Sequence, residues 1–120
     1  MAQHNDLGNK GEELALNYLR KKNYKIHKTN WRFGKNEIDI IASDDKTLVI
    51  AEVKTRSTRF YGEPEVFVTK TKQRFLIKAA HAYIMQNNID LDTRFDILAI
   101  VISPDETKVH HIEDAFYPTL

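Results

Sequence analysis

The sequence contains no cysteine, which excludes disulfide bonds and any metal site built on thiolates. With only 4 glycines and 3 prolines it has no flexible linker and no low-complexity segment. No apolar run approaches the roughly 20 residues that a membrane-spanning helix needs. The first residues are polar and lack the apolar stretch of a signal peptide. We therefore expect a cytoplasmic protein that does not enter a membrane.

The composition that is present is typical of one globular domain. Hydrophobic residues make up 42% of the chain and charged residues 29%. A length of 120 residues is too short to supply two separate hydrophobic cores. We therefore predict a single domain over residues 1–120.

The charge is unevenly distributed along the chain. Residues 1–80 carry 16 Lys and Arg against 10 Asp and Glu, a net charge of +6. Residues 81–120 carry 2 against 7, a net charge of −5. Concentrated positive charge is typical of proteins that bind polyanions such as nucleic acids, but Lys and Arg on solvated helices also serve solubility alone. The asymmetry favours a nucleic-acid partner without requiring one.

Hydrophobic periodicity predicts two helices and five strands. Apolar residues recur at helical spacing over about residues 6–22 and 69–87. Alternating or continuous apolar runs predict strands at residues 24–28, 37–42, 47–55, 95–102 and 107–112. We interpret residues 30–36 as a turn with aromatic anchors and residues 56–65 as a loop. This order of elements predicts a mixed α/β sandwich and excludes a TIM barrel or a Rossmann fold.

The strand over residues 47–55 carries charge at its end although its beginning is apolar enough for a core. Because side chains alternate along a strand, Glu52 and Lys54 share a face with Ile50. A hairpin loop with an even number of residues places Asp39 opposite Glu52 on that face, and an odd-numbered loop turns Asp39 to the other face. A surface ion pair is the ordinary interpretation of a Glu-x-Lys strand. Charge beside apolar strands lowers stability, however, so its presence here indicates that it serves a function.

The first helix adds a third carboxylate. At 100° per residue, Glu12 lies at the margin of the apolar stripe and Glu13 lies on the solvent side. Gly8 and Gly11 lie on the inner side, where glycine allows a helix to approach a sheet closely. Glu12 can therefore lean towards the two strand carboxylates.

Three carboxylates in one place need a counter-charge. Two like charges about 5 Å apart repel by roughly 3 kcal/mol at an effective dielectric constant of about 20. Lys54 alone cannot neutralise Glu12, Asp39 and Glu52, so either protonation or a divalent cation must do so. Oxygen ligands favour Mg²⁺ or Mn²⁺ over zinc, and such an ion serves phosphodiester hydrolysis. Lys54 would then orient the attacking water or stabilise charge on the phosphate.

Five short motifs are spread over about residues 6–102. They are Gly8-x-x-Gly11-Glu12-x-x-Ala15, Asn30-Trp31-Arg32, Glu37-Ile38-Asp39, Glu52-Val53-Lys54-x-Arg56 and Arg94-Phe95-Asp96. Together they resemble the YraN-like family of uncharacterised bacterial proteins. That family is placed in the PD-(D/E)XK nuclease superfamily, beside archaeal Holliday-junction resolvases and restriction endonucleases. The resemblance implies an α/β fold with the restriction-endonuclease-like αβββαβ core, a mixed central sheet flanked by two helices.

The resemblance also implies roles for individual residues. It makes Glu12, Asp39 and Glu52 ligands of the metal, with the carbonyl of Val53 as a further ligand. It gives Lys54 the role of the catalytic lysine, beside Asp39 and Glu52 as the catalytic carboxylates.

Basic residues after the third strand are candidate contacts to nucleic acid. We select Arg56 and Arg59 on the predicted loop, and Lys72 and Arg74 near the start of the second helix, where the helix N-terminus also favours anions. A solubilising loop is the alternative interpretation for Arg56 and Arg59. A solvated polar face is the alternative for Lys72 and Arg74, which lie nearest the site in the arrangement that the resemblance implies.

Other conspicuous polar residues are expected to be structural. Asp96 is expected to pair locally with Arg94, and proximity to the site is the alternative. His110 and His111 are adjacent on a strand, so their side chains point to opposite faces and cannot chelate a metal. We expect both histidines at the surface.

These observations predict a Mg²⁺-dependent (or Mn²⁺-dependent) nuclease-like protein that acts as a monomer or homodimer. We expect its nucleic acid to be DNA rather than RNA. The alternative is a non-catalytic nucleic-acid-binding module on a nuclease scaffold, which the same charge asymmetry favours. A third interpretation is a protein-interaction domain with a vestigial site, which predicts no stabilisation by divalent cations.

Overall fold

The computed structural model describes residues 3–57 and 67–118, with side chains from residue 7 onward. The elements follow one another as α1 (Gln3–Lys21), β1 (Lys25–Phe33), β2 (Asn36–Ser43), β3 (Thr47–Ser57), α2 (Lys70–Asn87), β4 (Asp92–Ile102) and β5 (Thr107–Phe116). The predicted fold class is confirmed, since two helices and one mixed sheet are consistent with an α/β restriction-endonuclease-like core. Neither helix within these ranges is long and apolar enough to cross a membrane.

The five strands form one sheet in the order β1-β2-β3-β4-β5. Strands β3 and β4 are parallel and pair along their whole lengths, whereas the other three neighbouring pairs are antiparallel. A parallel pair needs a crossover connection, and α2 supplies it. The most apolar strands, β3 and β4, therefore lie inside the sheet, where both faces are covered.

Two apolar clusters cover the two faces of the sheet. On one face, Ile41 of β2 and Ile50 of β3 pack with Leu76 of α2. On the other face, Val49 of β3 packs with Leu19 of α1. Neighbouring residues of β3 thus serve opposite helices, as the alternation of side chains requires.

Helix α1 approaches β3 most closely at Gly11. A methyl group at this position would lie 1.8 Å from the hydroxyl oxygen of Thr55. The expected close approach is therefore confirmed at Gly11. It is wrong for Gly8, which is exposed and would have no atom within 4 Å of an added methyl group.

Strand β1 is longer than the sequence pattern predicts. It continues to Phe33, so residues 30–33 are strand and the turn contains only Gly34 and the residue after it. The rings of Trp31 and Phe33 stack with centroids 6.1 Å apart, and Trp31 meets Tyr83 of α2 edge-on at 5.2 Å. Aromatic packing against α2 keeps this edge strand ordered although its exposed side chains are polar.

Strand β3 and helix α2 frame the segment predicted as a loop. Strand β3 continues to Ser57, so Arg56 lies in a strand and the prediction of a loop there is wrong. The rest of that loop, with Arg59, lies outside the described residues. Helix α2 begins after Thr69, whose hydroxyl accepts the backbone N–H of Lys72 at 3.1 Å and caps the helix.

Candidate functional site

The candidate site lies where β2 and β3 separate. Their ladder ends with Ile40 opposite Ala51, and beyond this point β2 stays paired with β1 while β3 stays paired with β4. The backbone N–H of Val53, just beyond the fork, is accepted by Oδ2 of Asp39 at 2.8 Å. The fork therefore brings the Asp39 carboxylate onto β3, next to Glu52.

The register that creates this neighbourhood is the one predicted for an even-numbered loop. The backbone N–H of Asp44 bonds the carbonyl of Thr47 at 3.1 Å, so two residues form the loop. The Asp44 carboxylate also accepts the N–H of Thr47 at 2.8 Å. An aspartate that bonds its own turn replaces the Asn-Gly pair that is common in such loops. Extending the ladder from the loop places Asp39 opposite Glu52.

The two carboxylates strongly affect one another. Burial, and then the negative charge of Glu52, raise the pKa of Asp39 from 3.8 to about 7. The N–H of Val53 and the charge of Lys72 act in the opposite direction. The residues around Asp39 therefore do not fully stabilise the negative charge of its ionised form.

Glu52 itself is only half satisfied. Its side chain is 13% exposed, and its Oε2 lies 3.7 Å from Nζ of Lys72. Its Oε1 is buried and has no hydrogen-bond partner among the described residues. A buried carboxylate oxygen without a partner is costly, so a further cation or hydrogen-bond donor at this atom would stabilise the site.

Glu12 occupies a neighbouring position and not the same cluster. As predicted, it is half-buried at the margin of α1, and Glu13 is exposed. Its Oε2 accepts a hydrogen bond from Nδ2 of Asn30 at 3.2 Å. Burial raises the pKa of Glu12, with a further contribution from the charge of Asp39, so the two carboxylates lie within electrostatic range.

The structure therefore brings two of the three predicted carboxylates together. Within residues 3–57 and 67–118, no three Asp, Glu or His side chains converge closely enough to hold a metal ion between them. Asp39 and Glu52 form the centre of the candidate site, and Glu12 adds negative charge from α1. The convergence of all three at one point stays a prediction.

Asn30 is a site residue that the sequence analysis did not single out. It has a φ of 48° and lies between Thr29 and Trp31, which pair with Ile40 and Ile38 of β2. It therefore lies opposite Asp39, and Asn is one of the residues that tolerate this left-handed conformation. The side chain of Asn30 thus links the Asp39 segment of the sheet to Glu12 of α1.

The predicted cationic residues occupy different positions. Lys54 and Arg56 are half-buried, follow Glu52 at alternate positions of β3 and each interact with another group. Lys72 reaches Glu52 from α2, whereas Arg74 is exposed on the same helix. Because β3 pairs with β4 without a register shift, strand alternation still places Lys54 on the face of Glu52, and its role stays a prediction.

An exposed aromatic side chain precedes α2. Phe67 is 65% exposed although it lies two residues before the helix cap. A single exposed apolar side chain is common in folded proteins and does not by itself mark a site. No pattern in the sequence predicts this exposure, since the neighbouring Val68 is also apolar and is buried in the core.

A second buried carboxylate, Asp96, belongs to a separate structural cluster. Nε of Arg94 donates to Oδ1 of Asp96 and Nη2 of Arg94 donates to Oδ2, both at 2.9 Å. Nε2 of His111 lies 2.6 Å from Oδ2, and the backbone N–H of Asp114 donates to Oδ1 at 3.0 Å. Burial alone would raise the pKa of Asp96, but these bonds from His111, Arg94 and Asp114 lower it below its ordinary value. The predicted pairing with Arg94 is confirmed.

The surface position predicted for His111 is wrong. Its side chain is 4% exposed, and its Nδ1 lies 3.2 Å from the hydroxyl of Tyr18 on α1. The physical reason is that the carboxylate of Asp96 compensates the polar ring inside the protein. This cluster joins β4, β5 and α1, and each oxygen of Asp96 has at least one partner.

Comparison with known proteins places these residues in a family. The model of a family described as "Uncharacterised protein family UPF0102" matches residues 11–100. A UPF0102 protein of Flavobacterium psychrophilum is 51% identical over 117 residues, with 98% of each chain covered. One of Christiangramia forsetii is 50% identical with the same coverage, and one of Porphyromonas gingivalis is 44% identical over 97% of this chain and 87% of its own. None of these names states an activity.

Proposed function

The chain belongs to the uncharacterised protein family UPF0102, in agreement with the resemblance of its motifs, and from the geometry of its site we propose that it is a nuclease-like enzyme of the PD-(D/E)XK type. The proposed reaction is divalent-cation-dependent hydrolysis of phosphodiester bonds in DNA. One observation carries this proposal: a half-buried pair of carboxylates, Asp39 and Glu52, at the fork of β2 and β3, with a buried oxygen of Glu52 that no described residue bonds.

The chemistry of this pair fits a hard divalent cation. Glu52 presents a buried oxygen that no described residue satisfies, and the raised pKa of Asp39 reflects burial beside a like charge. Carboxylate oxygens suit Mg²⁺ or Mn²⁺, so Asp39 and Glu52 would hold the ion, with Glu12 and the Val53 carbonyl as further donors. When bound, such an ion polarises a phosphoryl oxygen and lowers the pKa of an attacking water.

The residues of the chain have distinct parts in this reaction. Lys54, on the face of Glu52, orients the attacking water or stabilises the negative charge that develops on the phosphate. Asn30 holds Glu12 through the 3.2 Å hydrogen bond and so fixes the acidic side of the site. Asp39 combines a structural and a chemical role, because it bonds the backbone of β3 while its carboxylate faces Glu52.

The surroundings of the site support nucleic acid as the substrate. The first turn of α2 contains no acidic residue, and Arg74 is exposed on this helix. Positively charged side chains near a helix N-terminus favour phosphate, and an exposed aromatic such as Phe67 is suited to stacking on a base. Arg56 and Arg59 complete the proposed set of phosphate contacts with Lys72.

Cleavage of oligonucleotides tests the proposal. The purified protein is incubated with branched, single-stranded and duplex DNA in Mg²⁺ or Mn²⁺, and the variants Asp39→Asn and Glu52→Gln are compared with it. We expect cleavage by the wild type and by Glu13→Gln, a matched control at an exposed carboxylate, and none by the two site variants. Cleavage that persists in both site variants would assign the activity to a contaminant and overturn the proposal.

A non-catalytic nucleic-acid-binding module is the second candidate. The ion pair between Lys72 and Glu52 favours it, because this contact partly neutralises the acidic pair without a metal. This candidate predicts DNA binding that weakens with salt but does not respond to divalent cations or to Asp39→Asn. The nuclease proposal predicts that both change binding.

A further inference from the structure

Lys72 connects the acidic pair with an aromatic ring. Its Nζ lies 3.7 Å from Oε2 of Glu52 and 5.5 Å from the ring centroid of Phe75. Its backbone is fixed by the hydrogen bond to the Thr69 cap, so only its long side chain can relocate. The side chain is 32% exposed, so part of it is in contact with solvent.

The charges at this contact are not balanced. Asp39 and Glu52 carry two negative charges when both are ionised, whereas Lys72 supplies one positive charge to Glu52. The buried Oε1 of Glu52 gains no hydrogen bond from this contact. A divalent cation carries two charges and can bind both carboxylates, and it would repel a nearby ammonium.

A displaced Lys72 side chain has favourable alternatives. The face of Phe75 attracts a cation and already lies within reach. Lysine carries a compact charge on a flexible stem, so its ammonium can move without rearrangement of the helix. Arg74, exposed on the same helix, offers a second positive charge for a polyanion.

We propose that Lys72 is the exchangeable counter-ion of the Asp39–Glu52 pair. A divalent cation displaces its ammonium from Glu52, and the released ammonium binds a phosphate of the nucleic acid. Metal loading and substrate binding are thereby coupled through one side chain. This inference rests on the proposed function, and it makes Lys72 a positioning residue for the metal and a contact for the substrate.

The affinity of the protein for Mg²⁺ or Mn²⁺ alone tests the exchange. Isothermal titration at pH 8 is carried out on the wild type, Lys72→Met, Lys72→Arg and Lys78→Met. Removal of the competing charge should tighten metal binding at least about tenfold in Lys72→Met. Lys72→Arg keeps the charge, and Lys78→Met changes an exposed lysine of the same helix, so both should bind metal like the wild type.

A second measurement needs no variant and so does not depend on how a substitution folds. The rate of acetylation of each lysine in the wild-type protein is followed by mass spectrometry. An ammonium paired with Glu52 reacts slowly, so the rate at Lys72 should rise several-fold with Mg²⁺ and fall again when duplex DNA is added. Lys78 serves as the internal control and should show no rise with Mg²⁺.

The outcomes separate this inference from the proposed function. Metal binding by the wild type that is unchanged or weaker in Lys72→Met, with no metal-dependent rise in acetylation of Lys72, would overturn the exchange and leave the metal site standing. Failure of the wild type and of Lys72→Met to bind metal would overturn both. Binding of metal by Lys72→Met alone would support the exchange in its strongest form.

Discussion

The carboxylate of Asp39 takes the place of a backbone carbonyl as the partner of the Val53 N–H, at 2.8 Å. Buried backbone donors must be paired, and the separation of β2 from β3 removes the ordinary ladder partner. One aspartate therefore closes the fork and supplies a charged group beside Glu52. An amide at position 39 can still accept this hydrogen bond, which makes Asn the appropriate substitution for separating charge from structure.

The pH dependence of stability should change when the charge of Asp39 is removed. Burial and the charge of Glu52 raise the pKa of Asp39 to about 7, so the folded state favours the protonated form. The stability that this group contributes is full below about pH 4 and is lost as the pH rises through about 7. Without metal, Asp39→Asn should exceed the wild type in free energy of unfolding by about 2–4 kcal/mol at pH 8 and by little at pH 4.

Urea denaturation in the presence of a chelator measures this difference at the two pH values. If Asp39→Asn exceeds the wild type in free energy of unfolding by the same amount at pH 4 and at pH 8, ionisation of Asp39 is not the cause of the difference. Asp45→Asn, at an exposed aspartate in the neighbouring hairpin loop, is the control and should show neither effect.

The contact between Gly11 and Thr55 makes a sharp prediction about stability. Because a methyl group at position 11 would lie 1.8 Å from the Thr55 hydroxyl, Gly11→Ala must push α1 away from β3. We expect a loss of about 1–3 kcal/mol or more in the free energy of unfolding. Gly8→Ala, in open space on the same helix, should be neutral or stabilising by up to about 1 kcal/mol.

Chemical denaturation of the two glycine variants decides this point. Equal stability of Gly11→Ala and Gly8→Ala would show that α1 does not pack on β3 as closely as the structure has it. Such a result would also weaken the position of Glu12, which follows Gly11 on the same helix.

Much of the site could be predicted from local sequence rules, because strand alternation and loop parity are local. The even-numbered loop sets the register, and the register sets Asp39 opposite Glu52. The margin position of Glu12 likewise follows from helical geometry. These predictions required no knowledge of how distant elements pack.

The predictions that failed depend on contacts between distant segments. His111 is buried because Asp96, on the neighbouring strand, satisfies its ring, and no local pattern reveals that partner. The strand character of residues 30–33 depends on the packing of Trp31 against α2, over 50 residues away along the chain. The conformation of Asn30 could have been suspected from its residue type, but its bond to Glu12 could not.

The buried carboxylate of Asp96 should be important for stability and not for chemistry. Its oxygens are bonded by Arg94, His111 and the N–H of Asp114, so Asp96→Asn removes the buried counter-charge of Arg94 and leaves it only the exposed Glu113 carboxylate, 3.5 Å from its Nη1. We expect a loss of about 3–5 kcal/mol in the free energy of unfolding. Asp92→Asn, at an exposed position of the same strand, should change it by less than about 0.5 kcal/mol.

Thermal and urea unfolding of these two variants measure the difference. A stable Asp96→Asn variant that has lost DNA cleavage would contradict the structural role and place Asp96 in the active site. The pH dependence adds a check, because a lowered pKa means that stability from Asp96 is lost as the pH falls through the folded-state pKa, below its ordinary value.

Nucleic-acid binding should depend on the charge at α2. Arg74 is exposed on this helix, so Arg74→Gln should remove one phosphate contact and reduce the slope of log affinity against log salt by about 0.9 on duplex DNA. Lys46→Gln, in the hairpin loop that precedes β3 and six residues from Glu52 along the chain, should leave the slope unchanged. Fluorescence anisotropy over a range of salt concentrations measures both, and equal slopes for the two variants would remove α2 from the interface.

The most direct test of the account is a crystal of this protein soaked in Mn²⁺, with the metal located by its anomalous scattering. We expect an anomalous peak at the carboxylates of Asp39 and Glu52, and loss of that peak in Glu52→Gln. Density without any anomalous peak at this position, at a Mn²⁺ concentration that saturates known carboxylate sites, would contradict the central claim that the fork of β2 and β3 holds a divalent cation.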